Sequence, residues 1–160
     1  MKFAIIVGLA LTLPCSLHPP ASAAQGARTL SAGDLCQKAL SADELGKRVN
    51  AAVELSMLKT SDVATHLRRL AGETKDAEVL VPALAGLMLR SNFDSLPLFI
   101  NALESEAKPV REVAIQGVLK LTGLSAAQVQ YSADDAKEKR GKAVQMLKER
   151  LEKGKAKSPP

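Results

Sequence analysis

Apolar residues recur at helical spacing along most of this chain, and short turn signals divide them into segments. Between Leu96 and Leu103 they follow the i, i+3, i+4, i+7 spacing of one helical face, with Pro97 tolerated in the first turn. A second amphipathic segment opens at Pro109 and is closed by Gly123, which can adopt a left-handed conformation. The pattern predicts two short helices joined by a tight turn.

A looser copy of this helical hairpin precedes it, over residues 62–90, at an interval of about 30 residues. Such an interval is typical of stacked helical hairpins, in which each unit buries the apolar face of its neighbour. Ser41 and Glu44 have the S-x-x-E spacing of a capping box and predict the start of an earlier helix. The predicted helices cover residues 42–57, 79–89, 96–103, 109–123 and 133–153. One further helix, between the first two of these, is capped by Thr60 or Ser61 and stopped at Gly72. We also predict one helical turn at 34–40 and a long connection at 124–132.

Residues 79–89, VLVPALAGLML, carry no polar side chain. A helix that is apolar on every side should be buried on every side, so we expect this segment at the centre of the core. The alternative is that part of it, with Leu84 and Met88, lines a groove that accepts an apolar segment of a partner.

The composition supports a helical protein. Aromatic residues are scarce, with three Phe, one Tyr and no Trp among 160 residues. Ala and Leu dominate the apolar residues, and both favour helix over strand. We therefore predict an all-α fold, a short α-α superhelix of stacked hairpins with flanking helices that cap its ends.

The N-terminus has the layout of a secretory signal peptide. Lys2 precedes an uncharged apolar run at 3–13, and Ala21 to Ala23 offer the small residues of a cleavage site. The run is shorter than the about 20 residues that a membrane-spanning helix needs. We predict export to the periplasm or the extracellular space, with no transmembrane segment after cleavage. The predicted divisions are a signal peptide at 1–23, a flexible lead at 24–33, a helical domain at 34–153 and a disordered tail at 154–160.

The formal net charge of +5 is concentrated near the C-terminus, where residues 137–157 include nine basic and three acidic side chains. A basic helix can contact an anionic membrane, an acidic polymer such as that of a cell wall, or an acidic face of a protein, or it is an ordinary solvated surface. No aromatic residue lies among these basic ones, which argues against a nucleic-acid partner. The predicted basic surface consists of Lys137, Lys139, Arg140 and Lys142, with Lys148 and Arg150 further along.

Residues able to carry out chemistry are few. Cys36 and His66 are the cysteine and the histidine that remain after signal cleavage. A zinc site needs several nitrogen or sulfur ligands, and a catalytic triad needs a nucleophile, a base and an orienting group together. We therefore expect no catalytic residue, no metal and no cofactor, and a protein that is not an enzyme. The alternative is an enzyme subunit whose active site lies on a partner.

Residues 109–114, PVREVA, resemble the second helix of HEAT and HEAT-like repeats, which commonly show a V-R-x-x-A core. The motif continues with Val118, Leu121 and Gly123. The resemblance covers residues 62–123, although the first hairpin has Leu80 where this arginine would stand. It implies an α-α superhelix that binds or scaffolds another protein, and a structural role for Arg111 in polar contacts between neighbouring repeats.

One side of the same helix is polar. Glu112, Gln116 and Lys120 are spaced i, i+4, i+8 and therefore share that side. We predict that they contact a protein partner, whose identity the residues do not reveal. The alternative is ordinary solvated surface.

Overall fold

The structure, a computed structural model, describes residues 30–155, with side chains up to Lys153. These residues form helices and no strand, which confirms the predicted all-α class. The predicted signal peptide and most of the predicted lead and tail lie outside the described residues. The helices are α1 (Ala32–Ser41), α2 (Leu45–Met57), α3 (Val63–Glu73), α4 (Ala77–Arg90), α5 (Leu96–Ala102), α6 (Lys108–Thr122), α7 (Ala126–Val129) and α8 (Lys137–Lys155), and a 3-10 turn (Phe93–Ser95) leads into α5.

Consecutive helices pair into hairpins, and the hairpins stack side by side. The first three pairs are α1 with α2, α3 with α4, and α5 with α6. Each helix also contacts its counterpart in the next hairpin, so that α1, α3 and α5 form one layer and α2, α4 and α6 the other. At the C-terminal end, Arg150 of α8 donates a hydrogen bond of 3.4 Å to the carbonyl of Gln128 in α7. The predicted stack is confirmed, and the helices expected as caps form the outer hairpins.

The apolar helix α4 lies at the centre of this stack. It packs against α2, α3 and α6, and its residues Val79, Leu84 and Leu87 are completely buried. This confirms the expectation that residues 79–89 form the centre of the core. The burial is not complete on every side: Leu80, Val81 and Met88 are half-buried, and 70% of the surface of Leu89 remains exposed at the C-terminal end of the helix.

Two glycines allow helices to approach closely. A Cβ atom at Gly86 in α4 would lie 2.9 Å from Leu67 Cδ1 and 2.9 Å from Ser56 Cβ. A Cβ atom at Gly117 in α6 would clash with the ring of Phe99 in α5. Glycine is required at both positions because the neighbouring helix is so close that an added methyl group would not fit.

The predicted capping box at Ser41 and Glu44 is wrong. Ser41 is the last residue of α1, and its hydroxyl donates to the Gln37 carbonyl at 2.8 Å. Helix α2 begins at Leu45, three residues later than predicted, and Glu44 precedes it without a side-chain cap. Capping boxes form instead at the starts of α1, where Ser31 pairs with Asp34, and of α7. Ser41 belongs to α1 because that helix extends beyond the single turn predicted at 34–40.

Other predicted boundaries also move. Gly72 lies inside the last turn of α3, which ends at Thr74 in an extended conformation, so glycine does not stop this helix. Gly123 does so for α6, with a φ of 68°. The predicted connection at 124–132 contains α7, and α8 begins at Lys137 rather than at 133. The helical region spans 32–155, so the ends of the predicted lead and the start of the predicted tail are helical.

Candidate functional site

The two residues predicted to line a groove on α4 lie in different environments. Leu84 is completely buried, and Met88 is half-buried against the core. The prediction that Leu84 contacts a partner is therefore wrong, because α2, α3 and α6 enclose the helix at its centre. An apolar surface is present at the end of α4 instead.

That surface surrounds the connection between α4 and α5. On one side of it, a depression of about 700 Å³ holds Met57 and Leu89, which are 73% and 70% exposed. On the other side, a depression of about 320 Å³ lies beside Phe93, which is 52% exposed, and extends to Leu151 of α8. We call this region the edge surface, and its main apolar residues are Met57, Leu58, Leu89, Phe93, Leu96 and Pro97.

Arg90 fixes the floor of the edge surface. Its Nη1 donates to the carbonyls of Ser56 at 3.1 Å and Gly86 at 2.7 Å, and its Nη2 donates to the carbonyl of Leu58. These bonds hold the C-terminal end of α2 against that of α4, and a cation is favourable at both helix ends. Met57 and Leu89 therefore project from a braced part of the scaffold. Sequence reasoning missed this surface because Leu89 belongs to a run that predicts burial on every side.

The structure places the polar side of α6 at the surface, as the i, i+4, i+8 spacing of its residues predicts. Glu112, Gln116 and Lys120 are all exposed along that helix. Glu112 lies 3.7 Å from the ammonium of Lys108, an exposed pair one helical turn away. The three residues are therefore accessible to a partner.

Two of the predicted basic residues are engaged within the protein. The ammonium of Lys137 lies 2.7 Å from Glu106, and that of Lys139 lies 2.8 Å from Asp135. The hydrogen bond from Lys137 lowers the pKa of Glu106 below its ordinary value, and that from Lys139 lowers the pKa of Asp135. The positive charge of this helix is thus partly neutralised before it meets any partner.

Arg140 does not belong to a basic surface, which corrects the prediction for this residue. It is only 8% exposed, and its Nη1 donates to the Asp135 carbonyl at 2.6 Å. Lys142, by contrast, is exposed and forms no ion pair with any residue that the structure describes. Of the four residues predicted to form the surface, Lys142 alone presents a charge without an acidic partner there.

Arg111 links two segments of backbone. It is 7% exposed, and its Nη1 donates to the carbonyls of Ser105 at 2.9 Å and Glu106 at 2.7 Å. Its Nε and Nη2 both donate to the carbonyl of Ala133, at 2.9 and 2.7 Å. The side chain therefore ties the loop before α6 to the segment that leads into α8, a structural role of the kind that the resemblance implies.

Two further arginines stand at the equivalent position. Arg48 and Arg140 are, like Arg111, each the fourth residue of a second helix. Arg48 Nη1 donates to the Ala42 carbonyl at 2.8 Å, and Arg140 makes the corresponding bond of 2.6 Å to the loop before α8. The fourth residue of α4 is Leu80, so the central helix is the exception. The sequence carries a partial signal for this repeat, because Ala51 and Ala143 follow these arginines at the R-x-x-A spacing, while a lysine replaces the preceding valine of the V-R-x-x-A core.

The candidate chemical groups occupy structural positions. Cys36 is completely buried, and its Sγ donates to the carbonyl of His66 at 3.4 Å. Burial raises the pKa of the Cys36 thiol, which keeps it protonated and unreactive near neutral pH. His66 Nε2 lies 3.5 Å from an oxygen of Asp62, one turn away on α3. Over residues 30–155, no group of three or more His, Cys, Asp or Glu side chains is arranged to hold a metal ion.

Tyr131 anchors the connection between α7 and α8. Its hydroxyl donates to the Leu103 carbonyl at 2.6 Å, and burial raises the pKa of this phenol. The bond joins the third hairpin to the fourth.

Comparison of the chain with protein-family models, with curated proteins and with solved structures found no match. In the described part of the chain, no helix combines the length and the apolar character needed to cross a membrane.

Proposed function

We propose that this chain is an exported, non-enzymatic helical-repeat protein that binds or scaffolds another protein in the periplasm or the extracellular space. The observation that carries this proposal is the edge surface, where Met57, Leu89 and Phe93 are all more than half exposed, the first two in one depression and Phe93 in a second one. Clustered apolar side chains with a polar rim mark interaction sites on soluble proteins.

The scaffold suits this role because its hairpins stack around one continuous core. Arg90 holds the ends of α2 and α4 together, so Met57 and Leu89 are presented with little loss of freedom on binding. HEAT-like proteins, which the PVREVA segment resembles, bind partners on such stacks. The resemblance supports the same conclusion independently of the edge surface.

Attachment to an anionic membrane through α8 has less support. Lys137, Lys139 and Lys148 lie within 4.0 Å of acidic side chains, and Arg140 is buried. The helix therefore offers less free positive charge than its sequence suggests, and exposed charges act weakly at physiological salt.

The binding proposal is tested by introducing a charge at the edge surface. We expect Leu89→Glu to weaken capture of the native partner from the exported fraction by about tenfold or more, the loss typical of a central apolar contact. Thermal stability should stay within about 0.5 kcal/mol, because Leu89 is exposed.

Gln37→Glu, which adds the same charge at an exposed position of α1, is the matched control and should leave capture unchanged. Equal capture by both variants would refute the role of the edge surface. Loss of capture in Glu112→Lys instead would assign binding to the polar side of α6. Export is tested separately by N-terminal sequencing of the mature protein, which should begin at residue 24 or 25.

A further inference from the structure

The last hairpin is built differently from the others. The first helices α1, α3 and α5 contain 10, 11 and 7 residues, whereas α7 contains 4. Its partner α8 is 19 residues long. Gln130 ends α7 with a φ of 53°, a left-handed conformation that only a minority of non-glycine residues adopt. A helix of one turn leaves most of the adjoining side of α8 without a first helix beside it.

A groove occupies that side. Two cavities of about 440 and 160 Å³ share the side chain of Met146, which is 60% exposed between them. Ala143 and Leu147 extend the floor along α8, while Val129 and Tyr131 close it from the α7 side. On α8 the apolar wall of this terminal groove is formed by Ala143, Met146 and Leu147, a stripe of about one helical turn that lies between Lys139 and Arg150.

The rim of the terminal groove is basic. Lys139, Lys142 and Arg150 line it, against one acidic residue, Asp135. Asp135 is already engaged, because it accepts hydrogen bonds from the Lys139 ammonium at 2.8 Å and from the Ser132 amide at 3.2 Å. Lys142 and Arg150 form no ion pair among residues 30–153. An occupant with negative charge on both sides of an apolar stripe would satisfy them.

From the groove and its rim we infer that the terminal groove binds an acidic amphipathic helix of a partner protein, which packs on Met146 and completes the fourth hairpin. This inference rests on the proposed protein-binding function, and it adds a second surface and the chemistry of the segment that fills it. A short helix laid in an apolar groove is a recurrent mode of recognition, and opposite rim charges set its specificity.

The shape of the site favours a helix over a lipid surface. The apolar side chains lie in a concave trough, whereas a membrane would require them to project.

Two synthetic peptides of about 14 residues, roughly four helical turns, test the inference on the purified protein. Both carry Leu at i, i+3, i+7 and i+10, and the remaining positions are mainly Glu in one peptide and mainly Lys in the other. We expect saturable binding of the acidic peptide, at least about tenfold tighter than that of the basic one, by fluorescence anisotropy. Changes in backbone NMR chemical shifts on adding the acidic peptide should be centred on Met146.

The double variant Lys142→Glu/Arg150→Glu should weaken binding of the acidic peptide by about tenfold or more and remove the preference. Lys38→Glu/Lys75→Glu makes the same change in net charge on exposed residues away from both surfaces and should have little effect. Met146→Asp should also abolish binding.

Equal binding of the two peptides, or NMR shifts at Met57 and Leu89 instead, would overturn the inference. The inference would also be overturned if vesicles of phosphatidylglycerol and phosphatidylethanolamine (1:3) bound at Met146 and displaced the acidic peptide. Because Leu89→Glu leaves the terminal groove intact, failure at this groove is distinguishable from failure of the edge surface.

Discussion

Helices α4 and α8 occupy equivalent places in the second and fourth hairpins, yet they are stabilised in opposite ways. Helix α4 has neighbours in α2, α3 and α6, and it buries apolar residues over more than two turns, from Val79 to Leu87. Helix α8 buries one narrow stripe, with Val144 and Leu147 among its members, and its charged residues reach across to acidic groups on the third hairpin.

The difference shows how position in a stack governs what a helix can tolerate. A central helix meets protein on most sides, so a polar side chain there would lose its hydration. At the position where the other second helices have arginine, α4 has Leu80, which is half-buried, whereas Arg111 and Arg140 are buried, so burial by itself does not explain this exception. A terminal helix keeps one side open to solvent, and that open side of α8 bears Lys142 and Met146.

The largest expected effect separates the two helices directly. Leu84→Asp should destabilise the protein by more than about 4 kcal/mol, enough to unfold many domains, because it buries an unpaired carboxylate at the core. Met146→Asp on α8 should change stability by less than about 0.5 kcal/mol, since that side chain is largely exposed. Chemical denaturation followed by circular dichroism measures both. A folded Leu84→Asp variant of normal stability would contradict the central position of α4.

The next effect concerns the link between α6 and α8. Arg111→Met should cost about 3 kcal/mol, because it leaves the carbonyls of Ser105, Glu106 and Ala133 without their buried donor. Arg150→Met is the control, with one long bond of 3.4 Å from an exposed residue, and should cost less than about 0.5 kcal/mol. The same denaturation measurement applies. Equal losses for the two variants would show that the terminal hairpin does not depend on this network.

Glycine substitutions give the smallest effects and should differ in sign. Gly86→Ala in α4 should destabilise by about 1–3 kcal/mol, because the new methyl group meets Leu67 and Ser56. Gly141→Ala in α8 has nothing within 4 Å and should stabilise by about 0.5–1 kcal/mol through helix propensity. Melting temperatures of the two variants should move in opposite directions. A destabilised Gly141→Ala variant would contradict the open surroundings of Gly141 in α8.

Much of the helical layout could be predicted from local patterns. The stripe from Leu96 to Leu103 and the signals at Pro109 and Gly123 placed α5 and α6 within one or two residues. Local signals failed where two structures compete for the same residues. Ser41 could cap α2 or extend α1, and only the contacts of α1 with its neighbours select the second outcome.

The candidate surfaces were harder to predict than the helices. Leu84 and Leu89 belong to the same apolar run, and one is buried while the other is 70% exposed. Lys139 and Arg140 are adjacent basic residues, and one is exposed while the other is buried. Periodicity assigns a residue to a side of a helix, but the neighbouring helix that covers this side is set by the stacking of distant segments.

The sequence by itself determined that residues 30–155 are mainly helical, that the helices pair into hairpins and that residues 79–89 belong to a central helix, because helix propensity and apolar spacing are local properties. Only the tertiary structure decided which apolar residues remain outside and which charges are already paired. Exposure and ion pairing depend on segments about 30 residues or more apart, whose approach is governed by the stacking of hairpins.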